Sequence, residues 1–328
     1  DEAAPDGYPT TSAEAVRKPA ARKMKSLRAA ITLPPVPSQL DLDASARPKS
    51  TNTRQRLSND MTEALFNPCA VIPVYNHERT VAAVVARVRE QGLPVVLVDD
   101  GSSEVCAREL ERLSTLPQIS LLKHPVNRGK GAAVRTGLLA AAERGYTHAL
   151  QIDADGQHSL DDIRVFIEDA RNHPGTVICG QPVFDETIPP SRLYGRYFSH
   201  IFVWTETLSL DIVDSMCGFR VYPLKETVPL LTTSHVRSRM DFDTEILVRL
   251  HWRDVPMRWL KTRVHYPKDG VSHFRLGLDN VLMVTLHLRL LCGMLIRLPL
   301  LLSRKFRSNP VETHATIAKD GAADVHRR

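Results

Sequence analysis

The stretch His148-Ala-Leu-Gln-Ile-Asp-Ala-Asp-Gly-Gln-His158 decides how this 328-residue chain is read. Its apolar run stops abruptly in acid, as a short buried strand does where it emerges from a sheet. At the exit stand Asp153 and Asp155, one residue apart, with Gln157 two places on. Carboxylate and amide oxygens are hard ligands suited to Mg²⁺ or Mn²⁺, ions that often hold a substrate's phosphates. The same residues could serve only a turn, since Asp and Gly are frequent turn formers. The segments on either side decide between the two.

Working outward, the pattern of strand followed by polar loop recurs. Cys69 to Val74 reads as an apolar strand running into Tyr75-Asn76, and Glu78 to Gln91 has helical spacing in Val81, Val84, Val85 and Val88. Gly92 and Pro94 end that helix. Val95 to Val98 is a second apolar strand, closed by Asp99-Asp100-Gly-Ser-Ser103. A helix through Leu113, a strand over Ile119 to Leu122 and a loop over His124 to Gly131 follow. An Ala-rich helix over Ala132 to Arg144, a strand over Thr147 to Ile152 and a further strand over Thr176 to Cys179 complete the series. Ser159 or Asp161 is placed to cap the helix between the last two strands. Apolar strands alternating with amphipathic helices predict an α/β fold with a mostly parallel sheet and helices on both faces. Ligands of such sheets bind at the carboxyl ends of the strands. Tyr75-Asn76, Asp99-Asp100, Asn127 to Gly131 and Asp153 to Asp155 each follow a strand, so all four should meet at one edge.

Composition removes other classes. The net charge of +6 divides into ten Lys/Arg against seven Asp/Glu in residues 1–60, six against three in 304–328, and 27 of each between. A nucleic-acid footprint across the body is therefore not expected. The five cysteines, at 69, 106, 179, 217 and 292, include no Cys-x-x-Cys pair. They read as reduced, mostly buried thiols of a cytoplasmic protein. Residues 1–60 lack an apolar period and read as a disordered or non-native extension, and the acidic N-terminus does not look like a signal peptide.

Four segments taken in order, Val71-Ile-Pro-Val-Tyr-Asn76, Val98-Asp-Asp-Gly-Ser102, Asn127-Arg-Gly-Lys-Gly-Ala132 and Asp153-Ala-Asp-Gly-Gln-His158, resemble the family 2 glycosyltransferases of GT-A (Rossmann-like) fold. The match runs over about residues 68–180, and Cys217-Gly-Phe-Arg-Val-Tyr222 extends it toward the dolichyl- and polyprenyl-phosphate mannosyltransferase subgroup. The resemblance implies an inverting transferase using a nucleotide-diphosphate sugar and a lipid-linked or lipid-like acceptor. It implies that Pro73 and Tyr75 shape the base pocket and that Asp99 or Asp100 accepts hydrogen bonds from base or ribose. Arg128 and Lys130 would meet phosphate or sugar. Asp153 would face the donor and, with Asp155 and Gln157, form the metal site, Asp155 being the catalytic carboxylate on the diphosphate. One departure stands out: after the strand near Cys179 this chain has Gly180-Gln-Pro-Val-Phe184, where polyprenyl-phosphate members usually have Gly-Ser-Arg. With the segment Asp241 to Phe274, this resembles transferases found beside bacterial aryl-polyene or lipid-assembly enzymes.

The second half offers fewer fixed points. Asp241, Asp243 and Glu245 precede an apolar helix, where they could serve only its N-terminal dipole. In an inverting transferase acting on a hydroxyl, Asp241 or Asp243 is instead a candidate general base. Arg220 could grip an acceptor phosphate or form an ordinary ion pair. The histidines between His265 and His273 lack metal-ligand spacing. Asn280 to Ser303 is apolar but interrupted by His287, Arg289 and Arg297, and Arg289, Gly293 and Arg297 fall on one stripe. A helix of that kind is expected to lie in a membrane interface with its arginines near headgroups, on the cytoplasmic face. Packing on the domain or on a homodimer partner is the alternative, and a true span a third.

The domains expected are a transferase domain over 61–275, an amphipathic helix over 276–303 and a basic tail over 304–328. The alternatives to a glycosyltransferase are a sugar-1-phosphate nucleotidyltransferase and a non-catalytic membrane adaptor of the same fold.

Overall fold

The computed structural model describes residues 66–184, 190–264 and 276–307. The expectations for residues 1–60, for His265 to His273 and for residues 308–328 lie outside these. Among the described residues seven strands form one sheet: β1 (Pro68–Val74), β2 (Val95–Asp99), β3 (Ile119–Lys123), β4 (His148–Gln151), β5 (Val177–Phe184), β6 (Arg220–Pro223) and β7 (Met257–Val264). Their spatial order is β3-β2-β1-β4-β6-β5-β7. β6 runs antiparallel to β4 and β5, and the other pairings are parallel. Eight α-helices accompany it among the described residues: α1 (Val81–Glu90), α2 (Glu104–Ser114), α3 (Lys130–Glu143), α4 (Ile163–Asn172), α5 (Pro190–Thr207), α6 (Leu224–Thr233), α7 (Phe242–Trp252) and α8 (Leu276–Arg307).

Alternation along the strands covers both faces. Ala70, Ile72 and Val74 of β1 join Leu97 in a core closed by Val84 of α1, Leu110 of α2 and Phe166 of α4. Val71 and Val98 point the other way, into a core with Leu138 of α3, Ile246 of α7 and Leu290 of α8. Each such aliphatic side chain contributes about 1.5–3 kcal/mol on full burial. Cys69, Cys106, Cys179 and Cys217 are buried and free. Burial pushes the thiols of Cys69, Cys179 and Cys217 up to about 12, so they pack as uncharged groups. Cys292 is exposed on α8.

Two local expectations are corrected. Ser159 stands before a single 3₁₀ turn, Leu160–Asp162, that leads into α4, and its side chain caps neither. Asp161 pairs instead with Arg87 of α1, and Asp162 accepts from Thr262 Oγ1 at 2.8 Å. Helix α3 starts at Lys130, earlier than its alanines suggest, because the turn before α7 packs on its first residues: Ala132 N donates to Ser238 O at 2.9 Å. A Cβ on Gly131 would stand 2.7 Å from Phe242 Cγ and 2.9 Å from Ser238 C. Gly131→Ala is therefore expected to destabilise the chain by about 1–3 kcal/mol through overpacking, although Ala is the better helix former. A urea midpoint equal to or above that of the wild type would refute this contact.

Helix α8 is 32 residues long and contains Pro299. Its Val281–Arg304 portion, with mean hydropathy 1.8, is long and apolar enough to cross a membrane by length and composition. The expected basic stripe exists but faces the protein. Arg289 lies 3.0 Å from Glu245 Oε1 and also donates to His235 O, while Arg297 stacks 4.7 Å over the Trp252 ring. Glu245 is fully buried, and a buried carboxylate holds its cations more tightly than water-exposed headgroups would. His287 is buried as well, bonded through Nδ1 to Glu206 Oε1 at 2.8 Å and through Nε2 to Ser199 Oγ at 3.1 Å. The outer face is left to Val281, Val284, Leu288, Leu295, Ile296 and Leu300, all exposed and uncharged.

Candidate active site

The four polar loops meet at the carboxyl edge of the parallel strands, and antiparallel β6 brings its first residues there as well, Gln151 pairing with Arg220. The loops are laced together before any ligand is considered. Asn76, at φ 56°, accepts from Ser103 N at 2.7 Å, and Asp99 Oδ1 accepts from Ser102 N at 2.9 Å. Asp100 accepts from Arg128 N at 2.9 Å and Gly129 N at 2.8 Å, and meets His124 Nδ1 at 2.7 Å. Both Asp100 oxygens thus hold the β3–α3 loop, whereas Asp99 makes the turn contact to Ser102 N. His124 escaped the sequence reading, since a lone loop histidine carries no periodic signal. Pro73 is buried within β1 in register with Val98, and shapes the edge from behind while half-buried Tyr75 stands at it.

At the centre lies an ion cluster. Lys130 Nζ is 2.8 Å from each Asp153 oxygen, donating to Oδ2, and 2.9 Å from Asp243 Oδ2. Gln151 Nε2 donates to Asp243 Oδ1 at 3.0 Å. Burial opposes ionisation of Lys130 and Asp153, but the neighbouring charges outweigh it: Lys130 is raised above the ordinary lysine range, and Lys130 and His158 hold the Asp153 carboxyl below the usual carboxylate range. Gly218 closes the cluster: a Cβ there would stand 2.8 Å from Asp153 Oδ2 and from Lys130 Nζ. Asp243 thus joins Lys130 and Asp153 in one cluster, and Gln151 and Gly218 border it, neighbours that the motifs alone did not reveal. Arg128 is exposed at the rim.

Asp155 is half-exposed beside the cluster, its Oδ1 accepting from Gln157 N at 3.0 Å. Among the described residues no three His, Cys, Asp or Glu side chains gather as a metal cage. Divalent ions bound by one or two carboxylates together with substrate phosphates need no such cage. The half-exposed carboxylate of Asp155 fits that mode, next in sequence but one to Asp153, whose oxygens both already meet Lys130 Nζ. Gln157 lines the neighbouring cleft.

Two residues of the second half are placed differently from each other. Asp241 is buried at the start of α7, neither carboxylate oxygen has a well-formed hydrogen bond, and Arg237 Nε is 3.7 Å away. Burial raises its pKa against the pull of Arg237. Arg220 is 0% exposed, its guanidinium spent on Asp243 O at 2.7 Å, Ser215 O at 2.8 Å and Tyr222 Oη at 3.2 Å. It is a strut beneath Asp243, and the expectation that it faces an acceptor phosphate is corrected accordingly. The physical reason is its strand position, with two backbone carbonyls that require a donor.

Residues 69–228 match the model of the family Glycosyl transferase family 2. The chain is 31% identical over 178 residues to a dolichyl-phosphate beta-glucosyltransferase of Dictyostelium discoideum, a match covering 50% of this chain and 52% of that one. It is 26% identical over 215 residues to a UDP-N-acetylglucosamine–dolichyl-phosphate N-acetylglucosaminyltransferase of Methanococcus voltae, covering 58% and 85%. The chain thus spans about half the length of the first relative. In fold it is similar to glucosyl-3-phosphoglycerate synthase of Mycobacterium tuberculosis in complex with Mn²⁺ and UDP-glucose, with TM-score 0.53, 13% identity, and 76% and 84% of the two chains covered. The architecture is the GT-A type expected from the motifs.

Proposed function

This chain carries a glycosyl transferase family 2 domain over residues 69–228, and from that premise we propose that the protein is an inverting glycosyltransferase moving a sugar from a nucleotide-diphosphate donor to a lipid-linked phosphate acceptor. The observation that carries the reading is the convergence of Asp99, Lys130, Asp153, Asp155 and Asp243 on one sheet edge. Asp99 and Tyr75 receive the nucleoside. Lys130, held by Asp153 and Asp243, presents its remaining N–H to the donor's sugar or phosphate. Asp155, with Gln157 and Asp153, would hold Mg²⁺ or Mn²⁺, which when bound neutralises charge on the leaving diphosphate. Asp241, without a hydrogen bond on either carboxylate oxygen and with its pKa raised by burial against the pull of Arg237, is the group able to take a proton where the acceptor is a hydroxyl, whereas an ionised phosphate needs no base.

The dolichyl-phosphate acceptors in the relatives' names support a lipid acceptor here. The uncharged outer face of α8 supports attachment to a membrane, on whose cytoplasmic side nucleotide sugars would be met. In this reading residues 61–275 are the transferase domain and 276–303 the membrane-seeking helix. The test is to supply the full chain with UDP-, GDP- and dTDP-sugars, Mn²⁺ and a polyprenyl phosphate in detergent, and to follow labelled sugar into the organic phase. One nucleotide should support transfer. Pyrophosphate release when the chain is given a nucleoside triphosphate and a sugar 1-phosphate, with no labelled lipid from the NDP-sugars, would identify a nucleotidyltransferase instead, and no turnover together with no nucleotide binding would identify an adaptor.

A further inference from the structure

Beyond the metal-side residues the sheet edge continues into a cleft of about 560 Å³, lined by Gly156, Gln157, His158, Val183, Phe184 and Arg263. It is built by strand pairing: Phe184 lies opposite Val264, His158 bridges Val264, and Ser159 N donates to Arg263 O at 3.1 Å. Two features mark it as a place for an anion. Arg263 is exposed and, among the described residues, no carboxylate pairs with it. The His158 side chain is only 9% exposed and stacks on Phe219 at 5.4 Å, yet its buried Nδ1 has no hydrogen-bond partner. A buried polar atom left unpaired at a cleft costs free energy that a ligand can return. The far wall is Phe184, covered by the Arg196 guanidinium at 4.9 Å, and Arg196 is itself neutralised by Asp214. Among the described residues, the cleft thus offers the Arg263 cation and an apolar wall, with the unpartnered His158 Nδ1 buried in its lining.

We propose that this cleft receives the phosphate monoester of the acceptor, with Arg263 and His158 Nδ1 on its oxygens and Val183 and Phe184 beside the first carbons of its chain. The assignment rests on the transferase reading. It also accounts for the missing Arg after Gly180 and for the burial of Arg220: the acceptor's charge is met from β7 instead. Arginine matches phosphate oxygens through paired N–H donors, so a neutral replacement removes a charge-assisted contact that lysine-like point charges elsewhere do not replace.

The experiment measures calorimetric binding of farnesyl monophosphate, farnesol and inorganic phosphate to the full chain, to Arg263→Gln and to His158→Phe, which keeps a ring on Phe219. Farnesyl monophosphate should bind the wild type and lose about tenfold or more in affinity in each variant, while UDP with Mn²⁺ binds Arg263→Gln as it binds the wild type. Inorganic phosphate competing at the same concentration as farnesyl monophosphate would make the source a small phosphorylated acceptor, and weak competition would make it a lipid headgroup; either supports the site. Farnesol binding as tightly as its phosphate, or undiminished binding to Arg263→Gln, would overturn it. Failure of the wild type to bind any nucleotide would count against the transferase reading rather than against the cleft.

Discussion

Asp155→Ala is expected to lower sugar transfer by about a thousandfold while leaving the unliganded chain as stable as the wild type. The first half follows from what the carboxylate faces. Asp155 sits beside the central cluster, open on one side, and is the acid there with no cation partner of its own among the described residues. If it carries the metal on the donor's diphosphate, losing it removes several kcal/mol of transition-state stabilisation, and about 4 kcal/mol corresponds to a thousandfold in rate. The second half follows from its surroundings: its side chain is half-exposed and its described hydrogen bond is a turn contact to Gln157 N, which solvent can replace. Thermal unfolding separates the two effects. At about a hundred times its dissociation constant, donor with Mn²⁺ should stabilise the wild type by about 2.7 kcal/mol, and the variant should show no such gain. Retained turnover, or an unchanged donor-induced shift, would move the metal elsewhere on the edge.

How far this site was legible in the sequence depends on the distance over which each partner acts. Asp153 and Asp155 could be read because an apolar strand ends at Ile152, and Asp99 because Val95 to Val98 does the same. That rule brings loops to one edge but does not say which acid meets which cation. Asp99 and Asp100 are neighbours in a single motif, yet Asp100 is used up by Arg128 N, Gly129 N and His124. The division depends on how the β3–α3 loop folds back, which no local pattern encodes. Arg220 is the converse. Phe219, Val221 and Tyr222 around it are all buried, so its apolar flanks already marked an interior position rather than a phosphate-gripping loop. On α8 the stripe of Arg289 and Arg297 was visible, but its direction was not. The buried acid that draws Arg289 inward is Glu245, in another helix.

Lys130→Met should be the most destabilising change at this edge, costing about 3–5 kcal/mol at pH 7, because it leaves two buried carboxylates without their ammonium. Asp243 would keep Gln151 Nε2 and, 3.9 Å away, Arg220 Nη1, whereas among the described residues Asp153 would keep only His158, also 3.9 Å away. The pH dependence identifies the cause. In the wild type the Asp153 carboxyl is held below its ordinary range, so its contribution is present above the unfolded carboxyl pKa of about 4 and is lost as pH falls through the lower folded value. Lys130 is raised, so its contribution persists below about pH 10 and is lost only far into base. Between these limits the wild-type cluster is at full strength. In Lys130→Met burial acts on Asp153 without the opposing ammonium and moves its pKa upward, so ionisation destabilises the fold and protonation relieves it. The deficit should therefore shrink as pH is lowered from 7 to about 4.5, measured by urea unfolding of both chains at each pH. An equal deficit at both would mean that Lys130 acts through packing of its methylenes and not through charge. A Lys130→Arg chain would then recover most of the stability, and with the charge account it would recover it only where the guanidinium still reaches both carboxylates past Gly218.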